Sequence, residues 1–165
     1  MKRLHLLRHA KSSWDDPDLP DHERPLAPRG ERAARKIAEH VRREGIAPEL
    51  VLCSTAVRAR QTLAALLPAL PGEAEIRLED GLYAAGVSQV LTRLREVDES
   101  VGSVLVVGHN PTLHELAVAL TGKGDVPERF PTGALATLVF PTPWAELAGG
   151  GAELEGFAVP RELDG

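Results

Sequence analysis

Short, unbroken apolar runs recur along this chain and alternate with stretches whose apolar residues return every three or four positions. Residues 3–8 are apolar around Leu4, Leu6 and Leu7 and predict a buried strand. Residues 29–44 place Ala33, Ala34, Ile37, Ala38 and Val41 on one helical face, with Gly45 as the stop. A strand is predicted at 49–54 ("ELVLCS"), and a helix over 56–70 that is interrupted near Pro68. A short strand at 74–78 and an amphipathic helix at 87–97 follow. "SVLVVGH", 103–109, is the clearest buried strand, and a helix runs from near Pro111 to about Thr121. Residues 134–140 and 152–159 read as late strands joined through the glycines at 149–151. Between the first strand and the first helix, residues 10–28 carry Pro17, Pro20, Pro25 and Pro28 and read as one long loop. Loops of that length inside a compact domain are often functional.

Alternating strands and helices predict an α/β fold with a mainly parallel sheet, and no repeat or linker divides residues 1–165 into more than one domain. In such sheets, sites form beyond the carboxyl ends of the strands. The strand tips are therefore where chemistry is expected.

Composition narrows the possibilities. With 165 residues, 43% apolar and 26% charged, the chain can bury a sizeable core. A net charge of -5 argues against broad nucleic-acid binding. No apolar run is long enough to span a membrane, and the apolar stretch after Met1-Lys2-Arg3 stops too early for a signal peptide, so a cytoplasmic location is expected. Cys53 is the single cysteine, which excludes an internal disulfide and a thiolate metal cluster. No obvious apolar surface stripe is present, and a monomer is expected.

Three strand tips carry polar groups: Arg8-His9, then Ser54 followed by "TAVRARQT" with Arg58 and Arg60, then Gly108-His109-Asn110-Pro111. A parallel sheet could bring them to one edge. Guanidinium forks suit phosphate oxygens. A neutral imidazole can attack phosphorus and hold the phosphoryl group covalently, while two arginines and a second, protonated histidine stabilise the transfer without a metal. The helix opening after Asn110 would also favour an anion. Taken singly, each group has a plainer reading as a surface histidine, a solvated helix face or a turn. The joint occurrence is what points to phosphoryl chemistry.

"LLRHAKSSW", "STAVRARQT" and "VVGHNPTLHEL" together resemble the histidine phosphatase superfamily, also called phosphoglycerate mutase-like, and within it the SixA-type phosphohistidine phosphatases. The resemblance runs from Leu4 to about Thr121. It implies a three-layer α/β/α sandwich of the phosphoglycerate mutase-like kind. It implies that His9 is the nucleophile, that Arg8 and Arg58 bind phosphoryl oxygens, and that His109 completes the pocket. Arg60 is expected on the surface. Lys11, Ser12 and Asn110 are further phosphate-binding candidates. Two departures stand out: Ala10 follows the Arg-His pair where glycine is frequent, and Asp15 stands where many mutase-like members carry Asn, so Asp15 is not assigned to phosphate.

Superfamily members that cleave phosphate esters carry an acidic residue between the second and third motifs. Here Glu79 and Asp80 in "LEDGLYAAG" are candidates by type for a general acid, though a polar turn is the plainer reading, and Tyr83 is expected in the core. An alkoxide leaving group needs a proton donor, whereas imidazole, with a pKa of roughly 6.5, leaves with little help. A weakly defined acid and the lack of room for a lid favour phosphohistidine on a protein as substrate and inorganic phosphate as product. The expected function is thus a phosphohistidine phosphatase working through phospho-His9 with no metal or other cofactor. The alternatives are a small-molecule phosphomonoesterase and a non-catalytic phosphate-binding module.

Overall fold

The computed structural model describes residues 1–122 and 124–163, and in it six strands form one sheet. The elements alternate as expected: β1 (Lys2–Arg8), α1 (Pro28–Glu44), β2 (Leu50–Ser54), α2 (Val57–Leu66), β3 (Glu75–Glu79), α3 (Val87–Arg95), β4 (Ser103–Gly108), α4 (Thr112–Thr121), β5 (Leu135–Phe140) and β6 (Glu153–Ala158). In space the strand order is β3-β2-β4-β1-β5-β6. The first four are mutually parallel, and β5 and β6 are antiparallel additions. The fold is α/β with a mainly parallel sheet, as the alternation predicts.

Alternation along the strands sorts the core into two layers. Leu4, Leu6, Leu52, Val104 and Val106 face α3 and α4, where Leu94, Leu113, Leu116 and Leu120 meet them. Leu7, Val51, Cys53, Leu105 and Val107 face α1 and α2, meeting Ile37, Val41, Leu63 and Leu66. The central strands are buried on both faces, which is why they read as continuous apolar runs rather than alternating ones. Helix α2 ends at Leu66 and passes into a tight turn over Leu67–Ala69, because Pro68 has no N–H to continue the ladder.

Two glycines set the frame around the first loop. Gly45 closes α1 with φ of 65°, a left-handed conformation that favours glycine. Gly30, in the first turn of α1, lies so close to the loop that an added Cβ would stand 2.0 Å from the Lys11 carbonyl oxygen. Ala27 N–H also donates to that oxygen, at 2.9 Å. The loop of residues 10–28 is therefore pressed onto α1, and it contains a single turn of 3-10 helix at Asp21–Glu23 and a bridge between Ser12 and Leu26.

Candidate active site

Register alone gathers the three tips. Arg8 lies opposite Gly108 on β4, and Cys53 on β2 lies opposite Val107, so the ends of β1, β4 and β2 form a row. The antiparallel β5 starts at the same edge: Arg8 N–H donates to the Ala134 carbonyl, and Gly133 N–H lies 3.0 Å from both the Arg8 and His9 carbonyls. His9 N–H in turn donates to Gly108. The tip of β1 is thus clamped from both sides before any side chain is considered.

His9 is 7% exposed, and its Nδ1 lies 2.7 Å from the Ala10 carbonyl. A carbonyl can only accept, so Nδ1 carries the proton and the lone pair of the neutral ring lies on Nε2. Burial pushes the His9 pKa down to about 3, aided by His109 and Arg58, against the opposing Ala10 hydrogen bond. The ring is neutral, and its one free lone pair is on Nε2. The two strand-tip imidazoles stand with centroids 5.2 Å apart.

His109 departs from its expected charge. Burial, then the Arg58 cation, lower its pKa to about 4, so it is neutral rather than protonated at pH 7. Its Nε2 lies 2.7 Å from Ser54 Oγ, which accepts from Ala56 N–H at 3.2 Å. The fully buried Ser54 hydroxyl has no other acceptor among the described residues, so its hydrogen goes to Nε2 and the His109 proton sits on Nδ1. An incoming phosphoryl group would supply the negative charge that raises this pKa.

The loop holds Arg58, and the segment before β5 holds Arg8. Arg58, 7% exposed, donates from Nη1 to the Asp21 carbonyl at 2.8 Å and from Nη2 to Asp21 Oδ2 at 3.0 Å. Arg8 donates from Nη1 to the Phe130 carbonyl, its buried Nε has no partner among the described residues, and burial lowers its pKa. Helix α2 fastens the loop in return. Thr62 Oγ accepts from Ala10 N–H at 3.0 Å, and Gln61 Oε1 accepts from Leu26 N–H at 2.7 Å. The "RARQT" run therefore supplies one cation to the site and two ties to its surrounding loop.

Arg8, His9, Arg58 and His109 line one open cavity of about 480 Å³ with Lys11, Ser12 and Asn110 on its wall. Lys11 is exposed there. Ser12 Oγ is occupied by Arg24 Nη2. Asn110 donates from Nδ2 to Phe130 at 2.8 Å and accepts from His114 N–H, which ties it to the start of α4. Arg60 is outside the cavity, donating to the Thr55 carbonyl, and Asp15 also lies outside it. A larger hollow of about 720 Å³ lies at the opposite ends of β1 and β4, around Arg3 and Ser103, away from these residues.

Glu79 and Asp80 do not reach the cavity, and their candidacy as the acid is corrected here. Glu79 is paired through both oxygens with Arg93 of α3, 2.8 Å away at closest approach, and does not line the cavity. Asp80 accepts from the Thr55 hydroxyl, which in turn accepts from His22. Tyr83 packs on the core as expected and also edges the cavity. Only part of its ring packs on the core; its edge meets His109 at 5.6 Å and its hydroxyl donates to Asp21 Oδ2 at 2.6 Å.

Three site residues escaped the sequence. Asp21 is a hub for Arg24, Arg58 and Tyr83. The Tyr83 hydroxyl first, then Arg24 and Arg58, hold its carboxyl well below the usual carboxylate range. Arg24 is 6% exposed, tied to the Ser13 carbonyl and Asp21, with its guanidinium 3.2 Å from the centre of the Trp14 ring. Trp14 itself is 71% exposed at the mouth. The only available signal was the length of the proline-rich loop that carries all three. Three guanidiniums against one carboxylate leave the cavity cationic, as a phosphoryl group requires. No three His, Cys, Asp or Glu side chains converge to hold a metal among the described residues, and Cys53 is buried with its thiol pushed up to about 12 by that burial.

Residues 4–84 match the family described as the histidine phosphatase superfamily (branch 1), a span that contains Arg8, His9 and Arg58. An uncharacterised protein of Mycobacterium tuberculosis is 40% identical over 163 residues, covering 94% of this chain and all of the relative. Phosphohistidine phosphatase SixA of Escherichia coli is 31% identical over 139 residues, covering 82% of this chain and 84% of that protein. Among solved structures, a candidate phosphohistidine phosphatase SixA from Nakamurella multipartitia superposes with a TM-score of 0.85 at 37% identity, over 96% of each chain.

Proposed function

The chain belongs to the histidine phosphatase superfamily and is a phosphatase, and from that membership we propose that it hydrolyses phosphohistidine on a protein. In the proposed cycle, His9 Nε2 attacks phosphorus as the bond from phosphorus to the substrate imidazole breaks. The departing imidazole takes up a proton from solvent. Water then attacks the phosphorus of phospho-His9, loses a proton, and inorganic phosphate leaves with the His9 ring restored. Arg8 and Arg58 neutralise the equatorial oxygens, and His109 donates to them. The cations needed for this are arginines, and the cycle invokes no metal.

One observation carries the choice of substrate. Asp21 is the only carboxylate lining the cavity among the described residues, and its partners keep it ionised. Ester cleavage needs a proton delivered to an alkoxide, which an ionised carboxylate does not hold. Imidazole leaves without one already in place, so this cavity is suited to a P–N bond. The open mouth is compatible with a histidine displayed on a protein surface.

The test is a side-by-side assay of a phosphohistidine peptide, phosphoserine and a sugar phosphate, with acid-quench trapping of enzyme-bound phosphate. The expected result is a phosphoenzyme in the wild type and none in His9→Ala, with turnover favouring the phosphohistidine peptide by orders of magnitude. Comparable rates on the esters would sink the substrate assignment. Retained turnover in His9→Ala would remove the nucleophile.

A further inference from the structure

Lys11 and Thr132 line the active cavity and also line a second groove of about 440 Å³ beside it. This groove runs between the first turns of α1 and the Val159–Arg161 segment. Its rim carries Lys11, Arg29, Arg32, Lys36 and Arg161, and no carboxylate lines it. Arg29, Arg32 and Lys36 follow a three-then-four spacing, so they share one face of α1. The floor between the charges is apolar, with Ala33, Pro131 and Pro160.

These cations do nothing evident for the fold. None of the five makes a side-chain hydrogen bond or ion pair among the described residues, whereas Lys2, Arg3, Arg42, Arg77 and Arg93 elsewhere each face a carboxylate. Arg29 sits in the first turn of α1, at the positive end of the helix dipole, where a cation is disfavoured. Like charges crowded on one face also repel. A chain with a net charge of -5 thus concentrates unpaired positive charge in one place, adjoining its reaction centre. The close contact of Gly30 with the Lys11 backbone sets the loop directly beside the helix that carries the other cations.

Resting on the phosphohistidine reading above, we propose that this groove docks an acidic segment of the phosphoprotein next to its phosphohistidine. Exposed charges of this kind act mainly on encounter and orientation, and their effect falls with salt. The groove would deliver the phosphorylated ring to the open mouth beside it.

The experiment compares two phosphohistidine peptides, one flanked by glutamates and one by glutamines, together with free phosphohistidine. Wild type is expected to show kcat/KM roughly 10-fold or more higher on the glutamate peptide, an advantage that disappears at high salt. The variant Arg29→Gln/Arg32→Gln/Arg161→Gln should lose the advantage while hydrolysing free phosphohistidine at the wild-type rate. Equal kcat/KM of wild type on the two peptides, or an advantage that survives in the variant, overturns the proposal. So does stronger binding of a single-stranded oligonucleotide than of the glutamate peptide at this groove. Failure of the catalytic reading shows differently, as no turnover of any of the three substrates by wild type. In that case fluorescence anisotropy of the unphosphorylated glutamate peptide still decides the groove, with binding lost in the variant expected and no difference between the proteins refuting it. Arg32→Glu alone, with its thermal unfolding measured alongside, gives the same readings from a single exposed substitution.

Discussion

Thr62→Val isolates the tie that places His9, the proposed nucleophile. Thr62 is 1% exposed, accepts the Ala10 N–H at 3.0 Å and donates to the Arg58 carbonyl at 2.8 Å. Valine has nearly the same shape, so packing is kept while both hydrogen bonds go. The Arg58 carbonyl still has its place in the helix ladder. The Ala10 N–H, on a fully buried residue, has no substitute acceptor. An orphaned buried donor costs about 1–3 kcal/mol. For a domain of this size each kcal/mol lowers Tm by roughly 2–4 °C, so a fall of about 2–12 °C is expected. The same residue's carbonyl accepts from His9 Nδ1, and a loosened Ala10 releases the ring orientation and tautomer. Phosphoenzyme formation should slow roughly 5–10-fold, which is about 1 kcal/mol of lost positioning. The assays are calorimetry and rapid-quench measurement of phosphoenzyme, with Thr62→Ser as the control that restores the acceptor. An unchanged Tm in Thr62→Val, or a serine variant as impaired as the valine one, would refute the reasoning.

Three other outcomes are expected. Ser54→Ala removes the 2.7 Å partner of His109 Nε2 and should lower kcat roughly 5–10-fold at little change in KM, with wild-type kcat contradicting the assigned tautomer. Stability should fall as pH drops from about 6.5 toward 4: the folded pKa values of His5, His9 and His109 are lowered to about 4, 3 and 4, so the unfolded chain binds protons first. Each such group contributes stability that is fully present above its unfolded value and lost as pH falls, with a combined slope of up to about 4 kcal/mol per pH unit. A urea midpoint that stays flat between pH 7 and pH 5 would contradict the burial of these rings. Gly30→Ala drives a Cβ into the Lys11 carbonyl and should destabilise by about 1–3 kcal/mol or more, measured by urea unfolding; a neutral effect would show that the loop is not pressed on α1.

What could be read from the sequence follows from how each feature is encoded. Strands β1, β2 and β4 are buried on both faces, so Leu4 to Leu7 or Val104 to Val107 announce themselves as apolar runs, and their chemistry lies at their ends. The antiparallel placement of β5 beside β1 has no such local signature. Arg24 was invisible because an arginine in a proline-rich loop resembles a solvated one; its burial comes from Trp14, Ser13 and Asp21 meeting in space. Glu79 looked available because its partner, Arg93, arrives from another element. The charge on His109 could not be read from residue type, since burial and the nearby arginines decide it.

The position of β1 in the sheet has a consequence for how the molecule is made. Its neighbours are β4, which begins at Ser103, and β5, which begins at Leu135. The strand that leads to His9 is therefore an unpaired apolar segment until β4 and β5 have left the ribosome. Pairings so distant in sequence carry a large loop-closure cost and are slow to form. The edge that carries His9 is therefore built by joining segments far apart in sequence, and the Leu4–Leu7 run lacks its native cover until β4 and β5 have been synthesised.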